Sequence, residues 1–420
     1  MKYIWLILLI SLFSCSKESS EGPSDIKRIK VIDTDASYIS RNTSFLPDGS
    51  TVTLTLPLDD SQSNDSLPSK LFRYSPEGDF IWELDLPESL NEGWKVIALA
   101  DGNILVLGFS GDLFPEMAAL VLISPDAQVL EEVTFTAQTR IFEFLESRRS
   151  IDGLQRQNAE IAVVVPVIPG QGQDLVPRLL RFTSSLEMIS DEIYTDINAS
   201  LSHPGSVFQI GIDEDDQTQI HLHGKLSPPD PDMNYFVMNI TLDGETIEET
   251  NSYVTKGNIR NYPSGVASSE LSRSIWCAAG NNEDAGIFSA NGMDLFSVGT
   301  EISVFQTSSE ADSLAATVIS SFPGGGYIKT VKRTRDGGYV LLGTCNVVGD
   351  QTFPSDYRIL LVKLRFDLAV EWIQSPSLGV PAIGTDILEL ADGYLVTCTQ
   401  YTFSEINKPF LIQTDIMGQF

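Results

Sequence analysis

Basic residues are scarce in this chain. Its 420 residues hold 27 lysines and arginines against 57 aspartates and glutamates, a net charge of -30. A surface so acidic repels a phosphate backbone, which excludes nucleic-acid binding. Histidine is scarcer still, with three residues, and neither a G-x-S-x-G elbow nor an H-E-x-x-H helix motif occurs. Nucleophilic catalysis and zinc-peptidase chemistry therefore have no support. Four cysteines are present. Cys277, Cys345 and Cys398 each sit in an apolar run ("SIWCAAG", "LLGTCN", "LVTCTQ") and read as small buried thiols. With Cys15 set apart at the N-terminus they leave an odd number, which excludes a disulfide framework. The opening apolar run, residues 3–12, is too short to cross a bilayer, which takes about 20 residues.

Other motifs fall short of a site. The Gly-rich "PGGGY" at 323–327 opens a strand rather than a helix, so it makes no phosphate cradle. "DEDDQ" at 213–217 lacks the alternation and the distal acid of a calcium loop and reads as a solvated turn. His221 and His223 in "IHLHG" share one face of a strand, the spacing of two metal ligands. The third histidine, His203, stands apart in "SHPG", so the pair reads as structural. No metal site and no cofactor are expected.

The chain does contain what a large, turn-rich globular core needs: 42% apolar residues, 31 glycines and 21 prolines. Its start reads as an export signal, Lys2 followed by the apolar run and then "LFSC". That ending resembles the lipobox of bacterial lipoproteins, with Phe13 as a departure from it. The resemblance implies a signal peptide at 1–14, an acylated Cys15, and a polar tether over 15–25. "SKE" after the cysteine resembles the Lys-acidic export signals of Bacteroidota lipoproteins.

From residue 26 onward an acidic-Gly turn followed by an apolar strand recurs. The phase markers are Asp48 ("LPDGSTVTLTL"), Asp101 ("LADGNILVLGF"), Asn158, Asp216, Ser272, Asp336 ("TRDGGYVLLGT") and Asp392 ("LADGYLVTCT"), spaced by 53, 57, 58, 56, 64 and 56 residues. Each unit reads as four strands. The third strands run from "SKLFRYS" through "AALVLIS", "PRLLRFT", "NYFVMNI", "AGIFSAN" and "RILLVKL" to "PFLIQTD". Turns such as "PEGD", "PDAQ", "LDGE" and "ANGM" carry the chemistry of tight hairpins. The expected fold is all-β, one domain over 26–420: a seven-bladed β-propeller of four-stranded antiparallel blades. The last unit stops after its third strand and turn ("DIMGQF"), while "IKRIKVIDTD" at 26–35 is a spare strand. Pairing these ends closes the ring by the N-terminal strand and removes an open edge. Residues 136–157 and 306–325 are the least regular, and six or eight blades also fit the pattern there.

The "DGGYVLLG…LVKL…W" grammar resembles the repeat-rich β-propeller lipoproteins of Bacteroidota, and more distantly the quinoprotein-like propellers. Gly78 to Trp82 in "SPEGDFIW" has the quinoprotein-like Gly-to-Trp spacing, whereas Trp372 has Leu368 in the glycine place. The same segment departs from the sialidase Asp-box and reads as a hairpin turn.

The second-to-third strand loops are long, and with the blade-to-blade connections they share one face. They carry 13 acidic residues and no lysine or arginine, with aromatics among the acids. The candidate binding face comprises Asp112, Asp230, Asp232, Asp350, Asp356, Tyr357 and Tyr401. The connections on that face add Arg140, Lys256 and Arg260. The expected function is a binding or assembly module at the cell envelope, tethered to the outer membrane by lipid on its periplasmic or cell-surface side. Its partner would be an envelope protein or a glycan. The alternatives are a glycan-active hydrolase or lyase using loop-face carboxylates, and a structural subunit whose contacts run along the blade rims.

Overall fold

The computed structural model describes residues 29–32, 34, 36–57, 67–110, 117–136, 151–167, 176–194, 208–212, 219–226, 234–241, 247–254, 263–269, 273–279, 287–288, 296–297, 301–307, 313–322, 324–347, 357–400 and 407–419. Apart from a single 3-10 turn, Glu88–Leu90, their regular structure is β.

The strands form four-stranded antiparallel sheets in chain order. The first sheet holds Tyr38–Phe45, Thr51–Pro57, Lys70–Tyr74 and Phe80–Asp85. The second holds Glu92–Ala98, Ile104–Ser110, Met117–Ile123 and Val129–Thr136, and the third Asp152–Gln155, Ile161–Val167, Val176–Phe182 and Met188–Ile193. In the fourth are Phe208–Ile212, Gln219–Leu226, Asn234–Thr241 and Ile247–Val254. The fifth has Pro263–Ser269, Arg273–Ala279, Ile302–Thr307 and Ser313–Ile319, and the sixth Gly325–Arg333, Tyr339–Val347, Arg358–Leu364 and Val370–Gln374. In the last sheet Ala382–Glu389, Gly393–Gln400 and Pro409–Asp415 are completed by Ile29–Val31. There Ile29 pairs with Ile412 and Val31 with Phe410, so the spare N-terminal strand supplies the missing fourth.

One unit differs from its expected reading. "AGIFSAN" is not the third strand of the fifth sheet: Ile287–Phe288 pairs with Phe296–Ser297 in a two-stranded ribbon, and Ile302–Thr307 takes the third place. This excursion accounts for the long 64-residue spacing between markers 272 and 336. "EISVFQT" alternates apolar and polar residues, which suits a longer strand better than "IF".

The second and third strands are buried nearly throughout, as in Thr51–Pro57, Ile104–Ser110 and Arg358–Leu364. Both faces of these strands are covered, so apolar residues run on in "ILVLGF" and "ILLV", while in the first sheet buried Thr51, Thr53 and Thr55 alternate with Val52, Leu54 and Leu56. Contacts join the first strands of consecutive sheets in order, and those of the last sheet to those of the first.

The phase markers Asp48, Asp101, Asn158, Asp336 and Asp392 lie between first and second strands; Asp216 and Ser272 lie outside the described residues. Asp48 and Asp336 each accept the backbone N–H two residues on, from Ser50 and Gly338 at 2.9 Å, and Asn158 does the same for Glu160 at 3.1 Å. The next residue is left-handed at Gly49, Gly102 and Gly337 and also at Ala159 (φ 66°). The third-to-fourth turns repeat this device at Gly78, Ala127, Leu186, Leu368 and Gly418.

Candidate functional site

The two ends of the sheets are built differently. At the tight-turn end the charged groups are consumed internally. Asp48 meets Arg73 at 2.6 Å, Glu160 meets Arg181 at 2.6 Å, and Asp336 meets Lys363 at 2.8 Å, each pair tying a first turn to its own third strand. Ser50, through its hydroxyl and N–H, and Arg73 hold the Asp48 carboxyl below the usual range. Burial raises the carboxyl pKa of Asp336, but hydrogen bonds from Lys363, Thr334 and Gly338 outweigh it and pull the value down to about 2. For Glu160, too, burial is outweighed by Arg181 and Arg156, and its pKa is lowered.

Joints between neighbouring sheets consume more. Trp82 Nε1 and Arg73 Nη1 both donate to Pro125 O in the next sheet's third turn, at 2.9 and 2.6 Å. Trp372 lies so close to Gly418 that a Cβ there would stand 2.7 Å from its ring. Trp82 and Trp372, the two tryptophans of the Gly-to-Trp comparison, therefore act as inter-sheet wedges.

The opposite end carries the long connections. Asp112, Asp230, Asp232, Asp350, Asp356 and Tyr401 lie outside the described residues, as do Cys15 and the acidic run 213–217. Tyr357 is described: it is 2% exposed and its carbonyl accepts Ala382 N at 3.0 Å, so its backbone joins the sixth sheet to the last.

The sequence reading missed a repeated feature of the first strands. In four sheets one residue is bulged out of the pairing at the same register: Arg41 between Ser40 and Asn42, Trp94 between Gly93 and Lys95, Lys329 between Ile328 and Thr330, and Thr385 between Gly384 and Asp386. The sheets concerned are the sixth, last, first and second, consecutive neighbours. Two of the four carry a legible signal, the glycine of "LVLG" and of "VLLG". A Cβ on Gly108 would stand 2.2 Å from Glu92 O, and one on Gly343 1.8 Å from Tyr327 O, so these two bulges need glycine opposite, whereas Thr55 and Cys398 stand there in the first and last sheets.

The bulge turns polar and aromatic side chains out of the ladder. The Arg41 guanidinium stacks on Trp94 at 4.8 Å, and Trp94 packs edge-on to Phe109. Ser40 and Thr385 hydroxyls meet at 2.7 Å between Arg41 and the last sheet. The residue after each bulge faces the next sheet. Asn42 accepts Val96 N at 3.0 Å, Lys95 pairs with Asp152, and Asp386 accepts Thr43 N at 2.9 Å and Asn42 Nδ2 at 2.6 Å, with Lys332 at 3.4 Å. The seam between the last and first sheets thus repeats the contact made between the first and second.

His221 and His223 pair with Asn239 and Val237 in the fourth sheet. Among the described residues, no group of three histidine, cysteine or carboxylate side chains is placed to hold a metal ion. Cys345 and Cys398 are buried thiols, Cys345 with its Sγ 3.0 Å from Ser375 Oγ, and burial pushes the Cys398 thiol well up.

No family model matches the chain. No curated protein matches it either. Solved structures do. The polysaccharide lyase Uly1 superposes with a TM-score of 0.51 at 9% identity, over 93% of this chain and 90% of that one. The β-propeller domain of the Trilobed protease from Pyrococcus furiosus gives 0.47 at 8% identity, over 91% and 96%. The NanB sialidase from Streptococcus pneumoniae gives 0.47 at 7%, over 88% and 84%. The chain has a β-propeller fold, of four-stranded antiparallel sheets joined first strand to first strand.

Proposed function

We propose that the chain is a seven-bladed propeller closed by its N-terminal strand, anchored to the outer membrane through Cys15, and working there as a binding module. Its ligand meets it at the end with the long connections. Seven four-stranded sheets, the pairing of Ile29–Val31 with Pro409–Asp415, and the last-to-first seam support the closed ring.

The observation that carries the ligand face is the bulge arc Lys329, Thr385, Arg41, Trp94. These side chains stand near the middle of the first strands, which contact one another from sheet to sheet, and bulges commonly re-aim residues toward a site. The first-turn acids Asp48, Glu160 and Asp336 of the tight-turn end are already spent on Arg73, Arg181 and Lys363. Guanidinium, ammonium, hydroxyl and indole groups, together with the acids that the sequence puts in the second-to-third strand loops (Asp112, Asp230, Asp232, Asp350 and Asp356), suit a hydroxylated ligand carrying charge, such as an envelope glycan.

The test is binding of the purified soluble chain to neutral, uronate-bearing and sulfated glycans, each as a defined oligosaccharide. Arg41→Ala, Trp94→Ala and the quadruple Asn variant of Asp230, Asp232, Asp350 and Asp356 should each weaken binding at least tenfold; the quadruple variant should keep the parent melting temperature, while Trp94→Ala, whose indole packs on Phe109, should melt lower yet remain folded at the assay temperature. A glycan bound equally well by all three would refute the ligand face. The second reading is a glycan-active propeller; the polysaccharide lyase among the superposable structures illustrates chemistry this frame can host, though fold does not carry activity. New reducing ends or unsaturated products on incubation would select that reading. Cys15→Ser should release the protein from membranes, and retention with normal processing would refute the anchor.

A further inference from the structure

The outer strands of the first three sheets share a feature that neither the ring nor the ligand face uses. Each is the edge strand of its sheet. Each opens with two exposed apolar residues: Phe80 and Ile81 at 53% and 45%, Val129 and Leu130 at 40% and 47%, Met188 and Ile189 at 50% and 48%. Their register is the same, since Phe80, Val129 and Met188 pair with Tyr74, Ile123 and Phe182, the last residue of the third strand in each case. The three sheets are neighbours, tied by Asn42 to Val96 and by Lys95 to Asp152.

The outer strands and the turns before them carry charge of one sign, though Lys70 and Arg178 of the adjacent third strands pair with some of it. Segments 75–85, 124–136 and 183–193 contain Glu77, Asp79, Glu83, Asp85, Asp126, Glu131, Glu132, Glu187, Asp191 and Glu192, and no lysine or arginine. The sixth sheet differs: its outer strand opens with Val370 and Glu371, and Arg365 precedes it. Edge strands are usually blunted by lysine, proline or cover. Here the apolar pairs stand on edge strands whose own charges are acidic; Lys70 holds Glu83 and Asp85 and Arg178 holds Asp191, while Asp79, Asp126, Glu131 and Glu187 have no cation against them among the described residues.

We propose that this rim is a docking surface for a basic, amphipathic extended segment of a partner protein, which adds a strand to one edge and sets its cations against the acids. Backbone pairing would supply affinity, the exposed apolar pairs would bury against the partner's alternate side chains, and the acids would select a basic sequence. An anionic membrane surface and a second copy of this acidic chain are both disfavoured by the same charge.

The probe is a synthetic peptide alternating lysine and valine, compared with a Glu-Val peptide of the same pattern and a Lys-Ser peptide of the same charge. Binding is read by fluorescence anisotropy on the soluble chain at physiological salt. The Lys-Val peptide should bind at least tenfold more tightly than either control. The triple variant Ile81→Lys, Leu130→Lys, Ile189→Lys should lose at least tenfold of that affinity. A matched triple on other exposed positions, Val318→Lys, Phe366→Lys, Val370→Lys, should keep it. All six positions are exposed, so both variants should melt close to the parent, which separates lost docking from lost folding. Equal binding of the Lys-Ser peptide, equal loss in the matched triple, or binding instead to vesicles of phosphatidylglycerol would overturn the proposal. So would a concentration-dependent dimer that the Ile81 variant dissolves. None of these outcomes bears on the glycan face, which is tested by other residues.

Discussion

If the N-terminal strand closes the ring, Ile32 is its fastening. Ile32 is 0% exposed and packs with Phe72, Tyr74 and Leu411, bringing together the chain's start, its first sheet and its last. Its N–H donates to Pro409 O at 2.9 Å. The preceding Val31 pairs with Phe410 but is 51% exposed. Ile32→Ala removes three buried carbons, about 2.4 kcal/mol of transfer free energy, and the residual cavity brings the loss to about 2–5 kcal/mol. Val31→Ala, on the solvent side, should cost under about 0.5 kcal/mol. For a chain of this length a loss of 1 kcal/mol lowers Tm by about 1–2 °C, so Ile32→Ala should fall by about 2–10 °C and Val31→Ala by under about 1 °C. Opening can be local, so amide exchange at Leu411 and Ile412 should also accelerate in the first variant and not in the second. Equal effects at both positions, or unchanged exchange in the terminal strand, would mean that the N-terminal segment is a loose tail and the closure reasoning is wrong.

Further outcomes follow from the turns and seams. Asp386→Ala leaves Thr43 N, Asn42 Nδ2 and Lys332 without their acceptor and should cost about 3–5 kcal/mol, with Asp386→Asn nearer about 1–3 kcal/mol; an unshifted thermal midpoint would refute the seam. Ala159 is exposed and left-handed, so Ala159→Gly should gain about 0.5–1 kcal/mol in denaturant titration. Leu368 has the same backbone but is 1% exposed, so Leu368→Gly should lose more in packing than it gains in backbone relief and destabilise by about 1–4 kcal/mol. The Asp336 pKa lies near 2, below its unfolded value of about 3.9, so its contribution is complete above about pH 4 and is lost as pH falls toward 2. Asp336→Asn should therefore melt lower at neutral pH and show a shallower decline of Tm on acidification; an unchanged acid profile would refute the assignment.

Much of the fold was legible because the signals that specify it are local. An Asp that caps its own turn, a left-handed residue after it and an apolar run beyond it all lie within about ten residues, and the period fell on the right turns even at Asn158, where Ala159 replaces glycine. The spare strand at 26–35 matched the truncated last unit, and Ile29–Val31 does pair there. The fifth sheet was misread because "AGIFSAN" offers an apolar pair and a plausible turn at the expected phase. Only the pairing of Trp276 with Phe305 shows that the third strand lies further on. Sequence periodicity finds strands; it does not say which of two candidates wins a partner.

The candidate site was less legible for a different reason. Aspartate recurs at both ends of the sheets, and composition treats all of them alike. Geometry separates them: Asp48 and Asp336 are held by a turn N–H and a cation from their own third strand, and Asp386 sits 2% exposed in a seam. Such residues are committed to the frame, whatever charge they lend the surface. Arg41, Trp94 and Lys329 gave no motif, because a bulge is a mismatch between two strands and neither strand records it alone. Its trace is the glycine opposite, Gly108 or Gly343, which looks like part of an apolar strand until the approach of Glu92 O or Tyr327 O gives it a cause. In the second and sixth sheets that glycine therefore encodes two things at once, part of a strand and the place where its neighbour turns a side chain out, while the bulges opposite Thr55 and Cys398 leave no such trace in the sequence.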